Sequence, residues 1–382
     1  MDAQDNNPPN QLSDITPGQA AEPPSAAPSA DETPAAKPPK RWRSKKVLLG
    51  AAVVAVLAIG IGSYFGLVKK SPADQTASTK VYRVGVLCGL EFFCKTQDGF
   101  KAGMTELGYI EGKNIIYDFQ KTNFEPDKEK AILAKFVQDK VDLIVTYPTE
   151  VSLAAKAAIA GTSIPLLFDT AFIEGVNLIN SIPEPGNNLT GVRYPGPDLA
   201  VKRLEIMLEI APNTKRVLVA YQKGYPIVAP ELETLKPAAS SKGVTLVEFP
   251  ANNAAELQTY LDKLPKTGDV GFDAILMISE PLAVSPDAFP MLGKFATEHK
   301  LPLGGAFMSM AGYDTIFGVD IDSVAAGKQA APLADKILKG SPAGNIPVLT
   351  AESFFQLNNK AATAQGITLS ESLLDRADQV VK

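Results

Sequence analysis

Histidine, tryptophan and cysteine are scarce in this sequence of 382 residues, which has one, one and two of them, respectively. The one histidine, His299, lies beside a basic residue at the predicted end of a solvated helix, which does not favour a Ser-His-Asp catalytic triad. A G-x-S-x-G nucleophile elbow is missing, and neither a phosphate-binding loop nor a dinucleotide fingerprint follows a strand. We therefore expect no catalysis, no cofactor and no metal site.

The charge balance does not favour nucleic-acid binding. The chain has 37 Lys and Arg against 42 Asp and Glu, which gives a formal net charge of −5. A nucleic-acid-binding domain needs a concentrated positive surface. Because 45% of the residues are hydrophobic and 21% are charged, the composition is that of a globular protein with an added apolar segment. The length is sufficient for two well-packed domains.

The N-terminal region predicts a membrane anchor. Residues 1–46 are rich in Pro, Ala and polar residues, so we expect a disordered segment with no apolar surface to offset the entropy of ordering. Residues 47–68 contain neither charge nor proline. As a helix they rise about 33 Å, enough to cross a bilayer core of roughly 30 Å. The sequence therefore predicts one transmembrane helix from Val47 to Val68, and then a polar linker over residues 69–80.

Basic residues predict the orientation of this anchor. Lys and Arg are concentrated between Lys37 and Lys46, whereas Lys69 and Lys70 alone follow the apolar run directly. The positive-inside rule then places residues 1–46 in the cytoplasm and everything after Lys70 outside, in a single-pass protein of the cell membrane. A cleaved signal peptide is the alternative, although the long upstream segment and the lack of an A-x-A site count against it.

Small residues recur within the apolar run. Ala58, Gly62 and Gly66 are four residues apart, a spacing that allows two membrane helices to pair and predicts weak self-association. The alternative interpretation is that small residues are simply common in such helices.

From about Val81 onward, strand-like and helix-like segments alternate. YRVGVL, VDLIVTY and IPLLFDT are typical of buried strands, and TQDGFKAGMTELGY has apolar residues at helical spacing. This alternation predicts βαβ units with parallel sheets. A similar order returns about 130 residues further on, in RVLVAYQKG and FDAILMISEP, which indicates two similar α/β lobes. Ligands bind outside the carboxyl ends of parallel strands, so we expect the site in a cleft between the lobes.

Several stretches of this body resemble the extracytoplasmic substrate-binding proteins of ABC importers, in the branch that includes the tryptophan- and tyrosine-type proteins. The resemblance covers essentially all of the chain beyond the linker. The matching stretches are DGFKAGMTELGYIEGKNIIYDFQ, FVQDKVDLIVTYPTEVSLAAKAAIAGTSIPLLF, PGNNLTGV, GVDIDSVAAGKQAAPLADKILKGSPAGNIPV and NNKAATAQGITLSESLLDRADQVV.

The resemblance implies two doubly wound lobes of the type I periplasmic-binding fold. The chain would cross between them near Arg193–Pro197, near Met310–Thr315 and near Ile346–Glu352. The implied first lobe is residues 81–195 with 315–346, and the second is residues 196–314 with 347–382. The loop CGLEFFCK and the loop AYQKGYPIVAPE depart from the usual family pattern.

The resemblance also implies a function without catalysis. A small amino-acid-like solute, possibly aromatic, would be bound by lobe closure and delivered to an ABC permease with its ATPase. The alternative is a membrane-anchored sensor that signals to a partner protein. A sensor needs a cytoplasmic output domain, whereas residues 1–46 are predicted to be disordered.

The two cysteines, Cys88 and Cys94, follow the first predicted strand of the body. Their C-x5-C spacing, without another cysteine or a nearby histidine, suits neither a metal site nor a redox motif. Because both are predicted to lie outside the cytoplasm, we favour a disulfide that holds Glu91, Phe92 and Phe93 at the rim of the cleft. The alternative is a pair of unpaired, partly buried thiols.

The other ligand-binding candidates lie at the carboxyl ends of predicted strands. Thr149 begins a helix and either receives a solute carboxylate or serves as a plain N-cap. Asp169 could accept an ammonium group, and Arg193 could bind a carboxylate in a bidentate manner or pair with a surface acid. The full set of candidates is Glu91, Phe92, Phe93, Tyr147, Thr149, Asp169, Thr170, Phe172, Arg193, Tyr221, Gln222, Tyr225, Ser279, Glu280 and Phe307.

Overall fold

The computed structural model describes residues 80–382. The predicted N-terminal segment, the anchor over residues 47–68 with its small-residue face, and the linker up to residue 79 lie outside the described residues. Within residues 80–382, no helix has both the length and the apolar character needed to cross a membrane.

The first sheet is entirely parallel. Its strand order is β13-β5-β4-β3-β1-β2. Buried apolar runs with polar ends form its central strands, as is usual when helices cover both faces. The strands are β1 (Tyr82–Cys88), β2 (Ile115–Lys121), β3 (Leu143–Tyr147), β4 (Leu166–Ala171), β5 (Leu189–Arg193) and β13 (Leu349–Thr350).

Helices cover both faces of this sheet. Two apolar clusters, one on each face, contain the buried side chains of the strands and of the helices that pack on them. The helices that precede the second lobe in the chain are α1 (Glu91–Cys94), α2 (Thr96–Glu106), α3 (Pro126–Gln138) and α4 (Thr149–Ala158).

The second sheet has the order β15-β14-β12-β9-β8-β6-β7 and is mixed. Strand β14 runs antiparallel to β12, and β15 runs parallel to β14, so two strands at one edge depart from the parallel arrangement that the sequence predicted for the whole lobe. The strands are β6 (Arg216–Gln222), β7 (Thr245–Ala251), β8 (Ala274–Met277), β9 (Leu303–Gly305), β12 (Phe317–Ile321), β14 (Ser353–Asn358) and β15 (Gln379–Val381).

The helices of the second half complete the fold. Apolar clusters again lie on both faces of the sheet. The short strands β10 (Ser309–Met310) and β11 (Tyr313–Asp314) pair with each other. The helices are α5 (Gly196–Ile210), α6 (Val228–Ser241), α7 (Ala254–Asp262), α8 (Ala288–His299), α9 (Ser323–Leu338), α10 (Asn359–Ala364) and α11 (Glu371–Arg376).

Of the three predicted crossings between the lobes, one lies elsewhere in the structure. After β5 the chain enters the second lobe at Tyr194–Pro195, close to the predicted crossing. Strand β12 pairs with β9 and β14, so the return to the first lobe occurs at Asp322 and not near Met310–Thr315. Strand β13 still pairs with β5, so the last crossing follows Thr350. The chain crosses between the lobes where a strand ends and a helix or turn begins. The pattern of apolar residues alone does not show which strand ends these are.

Helix α9 returns to the first lobe and packs closely on α2. Gly327 allows this approach, because a Cβ atom there would lie 2.0 Å from the Thr96 carbonyl oxygen. At Gly99, a Cβ atom would lie 1.8 Å from the Val324 carbonyl oxygen. The Asp322 side chain caps α9 by accepting from the Val324 and Ala325 amides. This packing brings the first residue of α9, Ser323, to the cavity between the lobes.

Candidate functional site

A cavity of about 400 Å³ lies where the carboxyl ends of the strands of the two sheets face each other. This volume is within the range of small-molecule sites, roughly 300–1,000 Å³. We call it the cleft. Its lining consists of Leu90, Phe92, Phe93, Phe124, Pro148, Glu150, Thr170, Phe172, Tyr194, Gln222, Tyr225, Ser279, Glu280, Pro281, Val284, Phe307, Asp320, Ile321 and Ser323.

Aromatic rings form much of the wall. Phe92 of the first lobe meets Phe307 of the second edge-to-face, with ring centroids 5.6 Å apart. Phe172 and Tyr194 make a second edge-to-face pair at 5.1 Å. Half of the surface of Phe92 is exposed. Rings of this kind offer apolar faces and edges on which a flat solute can stack.

The charged side chains of the lining are all acidic. Among the described residues that line the cleft, Glu150, Glu280 and Asp320 have carboxyl groups, and none of the lining residues is Lys, Arg or His. Glu150 of the first lobe accepts a hydrogen bond of 2.7 Å from the hydroxyl of Tyr225 in the second. The lining therefore favours a solute that carries a positive group.

Glu280 is held in place by backbone amides. Its carboxylate accepts from the N–H groups of Gln222, Leu282 and Ala283 at 2.7, 3.0 and 2.7 Å. Burial raises the pKa of this carboxyl, and the three hydrogen bonds oppose that rise. The side chain thus has one fixed orientation at the cleft wall.

The N-terminus of helix α4 also faces the cleft. Pro148 occupies its N-cap position, makes no side-chain capping bond and follows a cis peptide bond after Tyr147. The amides of the first helical turn have no acceptor within the helix itself. Glu150 on this turn lines the cavity. A carboxylate at this end of the cleft would meet amide donors and the positive end of the helix dipole.

Comparisons with known proteins agree with this geometry. The family model of the ABC transporter substrate binding proteins matches residues 86–381. The chain belongs to this family. A tyrosine-binding protein of Clostridioides difficile (strain R20291) is 28% identical over 319 residues, which cover 81% of this chain and 89% of that protein.

Solved structures show the same fold. A conserved domain protein from Vibrio cholerae matches with a TM-score of 0.67 and 28% identity, over 79% of this chain and 100% of that one. A domain from Streptococcus pneumonia in complex with L-Trp matches with a TM-score of 0.68 and 23% identity, over the same shares. The substrate-binding protein described here therefore has the α/β type I periplasmic-binding fold that its sequence predicted.

The cleft of this substrate-binding protein brings together a majority of the side chains that the sequence singled out. They come from both lobes and from the ends of the strands, as expected for such sheets. Those that line it are Phe92, Phe93, Thr170, Phe172, Gln222, Tyr225, Ser279, Glu280 and Phe307.

Two of the proposed polar contacts, those of Thr149 and Arg193, are directed elsewhere. The Thr149 hydroxyl accepts from the Phe172 amide at 2.8 Å, so it ties α4 to the end of β4. Arg193 pairs with Glu174 and with Asp198, and donates to the Thr350 hydroxyl, and it does not line the cleft. Its interpretation as a surface ion pair fits the structure better than a carboxylate clamp.

Asp169 is fully buried in the first lobe, away from the cleft lining. Neither of its carboxylate oxygens has a hydrogen-bond partner, and burial raises its pKa well above the ordinary value. Tyr147 is buried nearby and also does not line the cleft. The structure therefore does not place Asp169 where it could accept a solute ammonium group.

Two further candidates make surface contacts. Glu91 pairs with Lys121 at 2.6 Å and is largely exposed. The Tyr221 hydroxyl donates to Glu248 at 3.1 Å on an exposed face. Side chains alternate between the faces of a strand, which is why Tyr221 points away while Gln222 lines the cavity.

Cys88 and Cys94 are joined by a disulfide bond in this structure. The bond closes the turn that contains the four-residue helix α1, in which no side chain is buried. The covalent link and the Lys121–Glu91 ion pair hold this turn, together with the packing of Phe93 and Cys94 against the core of the first lobe. It presents Leu90, Phe92 and Phe93 to the cleft.

Sequence reasoning missed lining residues that only the crossings and loops bring in. Tyr194 follows β5, within the predicted crossing Arg193–Pro197, and is not among the predicted candidates. Asp320 and Glu150 had a usable signal, because each lies at a strand end or a helix start next to an apolar run. The lining residues missed are Leu90, Phe124, Pro148, Glu150, Tyr194, Pro281, Val284, Asp320, Ile321 and Ser323.

Proposed function

We propose that this protein is the solute-binding component of an ABC importer and that its solute is an amino acid with an aromatic side chain. The observation that carries this is the combination of an aromatic wall with a charged lining that is entirely acidic. The wall suits a flat apolar group, and the carboxylates suit an ammonium group. The relatives support the choice, since one is a tyrosine-binding protein and another was solved with L-Trp.

The carboxylate and ammonium groups of such a solute are attached to one carbon atom, so they would lie side by side within the cleft. Its carboxylate would lie at the N-terminus of α4, where the first-turn amides have no side-chain cap. Its ammonium group would lie near Asp320 and Glu150, on the acidic side of the cavity. The Tyr225–Glu150 and Phe92–Phe307 contacts join the two lobes beside the cleft. A solute that contacts both lobes would therefore favour their closed arrangement.

The cellular setting is also part of the proposal. The body would lie outside the cytoplasm, tethered by a single transmembrane helix over residues 47–68, and would pass its solute to an ABC permease driven by an ATPase. The basic excess before the apolar run supports this orientation. Co-purification of a permease and an ATPase from cross-linked membranes would support import. Co-purification of a kinase instead would favour the sensor alternative.

Solute binding can be measured by fluorescence, because Trp42 is the one tryptophan of the chain. In a full-length Trp42→Phe variant in detergent, added L-tryptophan is the sole indole. We expect its emission to shift to the blue and to saturate at one equivalent as the indole leaves water. L-tyrosine should compete for the same site.

Calorimetry with L-tyrosine and with a panel of aliphatic amino acids provides the control. Binding of neither aromatic amino acid, or equal binding of the aliphatic ones, would contradict the proposed solute class.

A further inference from the structure

Arg203 lies beneath the floor of the cleft and is completely buried. It belongs to helix α5, and its Nε donates to the Val319 carbonyl at 2.7 Å. Its Nη2 donates to the Tyr194 hydroxyl and to the Ser279 hydroxyl, both at 2.9 Å. The same nitrogen lies 3.8 Å from the Asp320 carboxylate. We call Tyr194, Arg203, Ser279 and Asp320 the buried network.

Three members of the buried network line the cleft, and Arg203 does not. Tyr194 follows β5 at the first crossing between the lobes, and Asp320 lies in β12, just before the second. Ser279 follows β8 in the second lobe. Arg203, which lies outside the cleft, therefore contacts three cleft-lining side chains that come from three different segments of the chain.

The donor and acceptor groups of the buried network limit the directions in which the Tyr194 and Ser279 hydroxyls can donate. A guanidinium can only donate, so both hydroxyl oxygens accept from Arg203. Tyr194 and Ser279 are also hydrogen-bonded to each other, which uses one of their two protons. The remaining hydroxyl proton is left to be donated to Asp320 or into the cleft. Without Arg203, both hydroxyls could turn.

The positive charge of Arg203 has a second effect, on the ionisation of Asp320. Burial raises the pKa of Asp320, and the Arg203 guanidinium opposes that rise. Two further carboxyl groups, those of Glu231 and Glu280, lie near this site, and burial raises the pKa of both. Glu231 is fully buried, and neither its carboxylate oxygens nor Nη1 of Arg203 has a hydrogen-bond partner. Among the described residues, Arg203 is thus a cation that opposes the rise in pKa of both Asp320 and Glu231.

We propose that Arg203 is a positioning residue that determines solute specificity, by orienting the Tyr194 and Ser279 hydroxyls and by pairing with the Asp320 carboxylate that faces the cleft. The inference rests on the proposed function in that the recognised group is a solute ammonium. The guanidinium never touches the solute. Its loss would leave a cavity of the same shape that no longer distinguishes an ammonium from a neutral or apolar end.

The first test compares solutes that differ only in the ammonium group. The full-length Trp42→Phe chain in detergent is titrated with L-tryptophan and with indole-3-propionate, which lacks the ammonium, by fluorescence. We expect Arg203→Gln to reduce the preference for L-tryptophan about tenfold, the typical value of one charge-assisted contact. Arg203→Lys should recover part of it, because the charge remains. Asp320→Asn should reduce the preference as Arg203→Gln does.

An effect on folding alone would lower the affinity for both solutes equally and leave their ratio unchanged, which would overturn the inference. The melting temperature of each variant is recorded alongside. If Arg203→Gln does not fold, the affinities for the two solutes are compared in the Ser279→Ala and Asp320→Asn variants instead. An unchanged ratio of affinities in both variants would also overturn the inference.

The second test needs no solute and separates this inference from the proposed function. The titration of the Asp320 carboxyl is followed by carbon NMR in the ligand-free full-length chain, with Asp320→Asn to assign its signal. Arg203→Lys should retain a midpoint near that of the wild type, and Arg203→Gln should raise it. Failure of the wild type to bind either indole would contradict the proposed solute, whereas an unchanged Asp320 midpoint would overturn the role of Arg203.

Discussion

At the residue scale, two aspartates on strands near the cleft show how backbone geometry decides a role. Strand β4 has a register shift between Asp169 and Ala171, and Thr170 between them has a φ of 53°. This local irregularity turns Thr170 toward the cleft and leaves Asp169 in the core. Asp320, on a regular strand, faces the cleft instead.

The buried Asp169 predicts a pH-dependent stability. Its pKa in the folded protein is raised by burial from the ordinary value of 3.8. Its contribution to stability is therefore fully present below that value and is lost as the pH rises through the folded-state pKa. We expect Asp169→Asn, which does not titrate, to gain stability relative to the wild type as pH rises, by at most about 1.4 kcal/mol per pH unit.

Thermal unfolding of the full-length chain between pH 4 and pH 8 would measure this difference. Asp375→Asn, at an exposed position of α11, is the matched control and should show no such trend. A constant difference between Asp169→Asn and the wild type across this pH range would contradict the prediction.

At the scale of elements, the contact between α2 and α9 depends on glycine. Glycine within a helix normally costs about 1 kcal/mol relative to alanine, so Gly→Ala usually stabilises. At Gly327 a Cβ atom would instead lie 2.0 Å from the Thr96 carbonyl oxygen, which is backbone and cannot rotate away. We expect Gly327→Ala to destabilise the protein by about 1–3 kcal/mol.

The melting temperature of the full-length chain checks this expectation. Lys328→Ala, at the neighbouring exposed position whose partner is Glu106, should change stability by less than about 0.5 kcal/mol. A stabilised Gly327→Ala variant would show that the helices can separate without cost, against the close packing in the structure.

The turn around α1 depends on its disulfide. It has four helical residues, none of them buried, and half of the surface of Phe92 is exposed. Removing the bond by Cys88→Ser with Cys94→Ser should lower stability by about 2 kcal/mol through the entropy of the closed loop. It should also weaken binding of L-tryptophan, because Phe92 would no longer be preorganised.

Alkylation in denaturant, followed by mass spectrometry, checks the pairing itself. Neither cysteine should react before reductant is added, and both should react after it. Labelling of both thiols in the untreated protein would contradict the bond.

At the scale of the whole molecule, the topology proposed for the N-terminal region remains a prediction. Basic residues from Lys37 to Lys46 precede the apolar run of residues 47–68. Protease added outside intact cells should then digest the body and spare the N-terminal segment. Mass spectrometry of the protected fragments would show it. A mature protein that begins near Ser71 would indicate a cleaved signal peptide instead.

The sequence by itself determined the two α/β lobes, most of their elements and the family. The reason is that buried parallel strands and amphipathic helices have local signatures, and segments such as VDLIVTY carry them without reference to distant residues. It also determined which strand ends face the cleft, since that follows from the parallel arrangement. Phe172, Gln222 and Ser279 were found in this way.

Only the tertiary structure decided which side chains at those ends point into the cleft. Asp169 lies at the expected strand end, yet a bulge leaves it buried. Thr149 lies at the expected helix start, yet its hydroxyl accepts a hydrogen bond from the Phe172 amide. Arg203 has no local signal, because its role arises from contacts with segments 9 to 117 residues away in the chain. Such contacts depend on how the crossings pack, and packing between distant segments is not encoded in any short stretch of sequence.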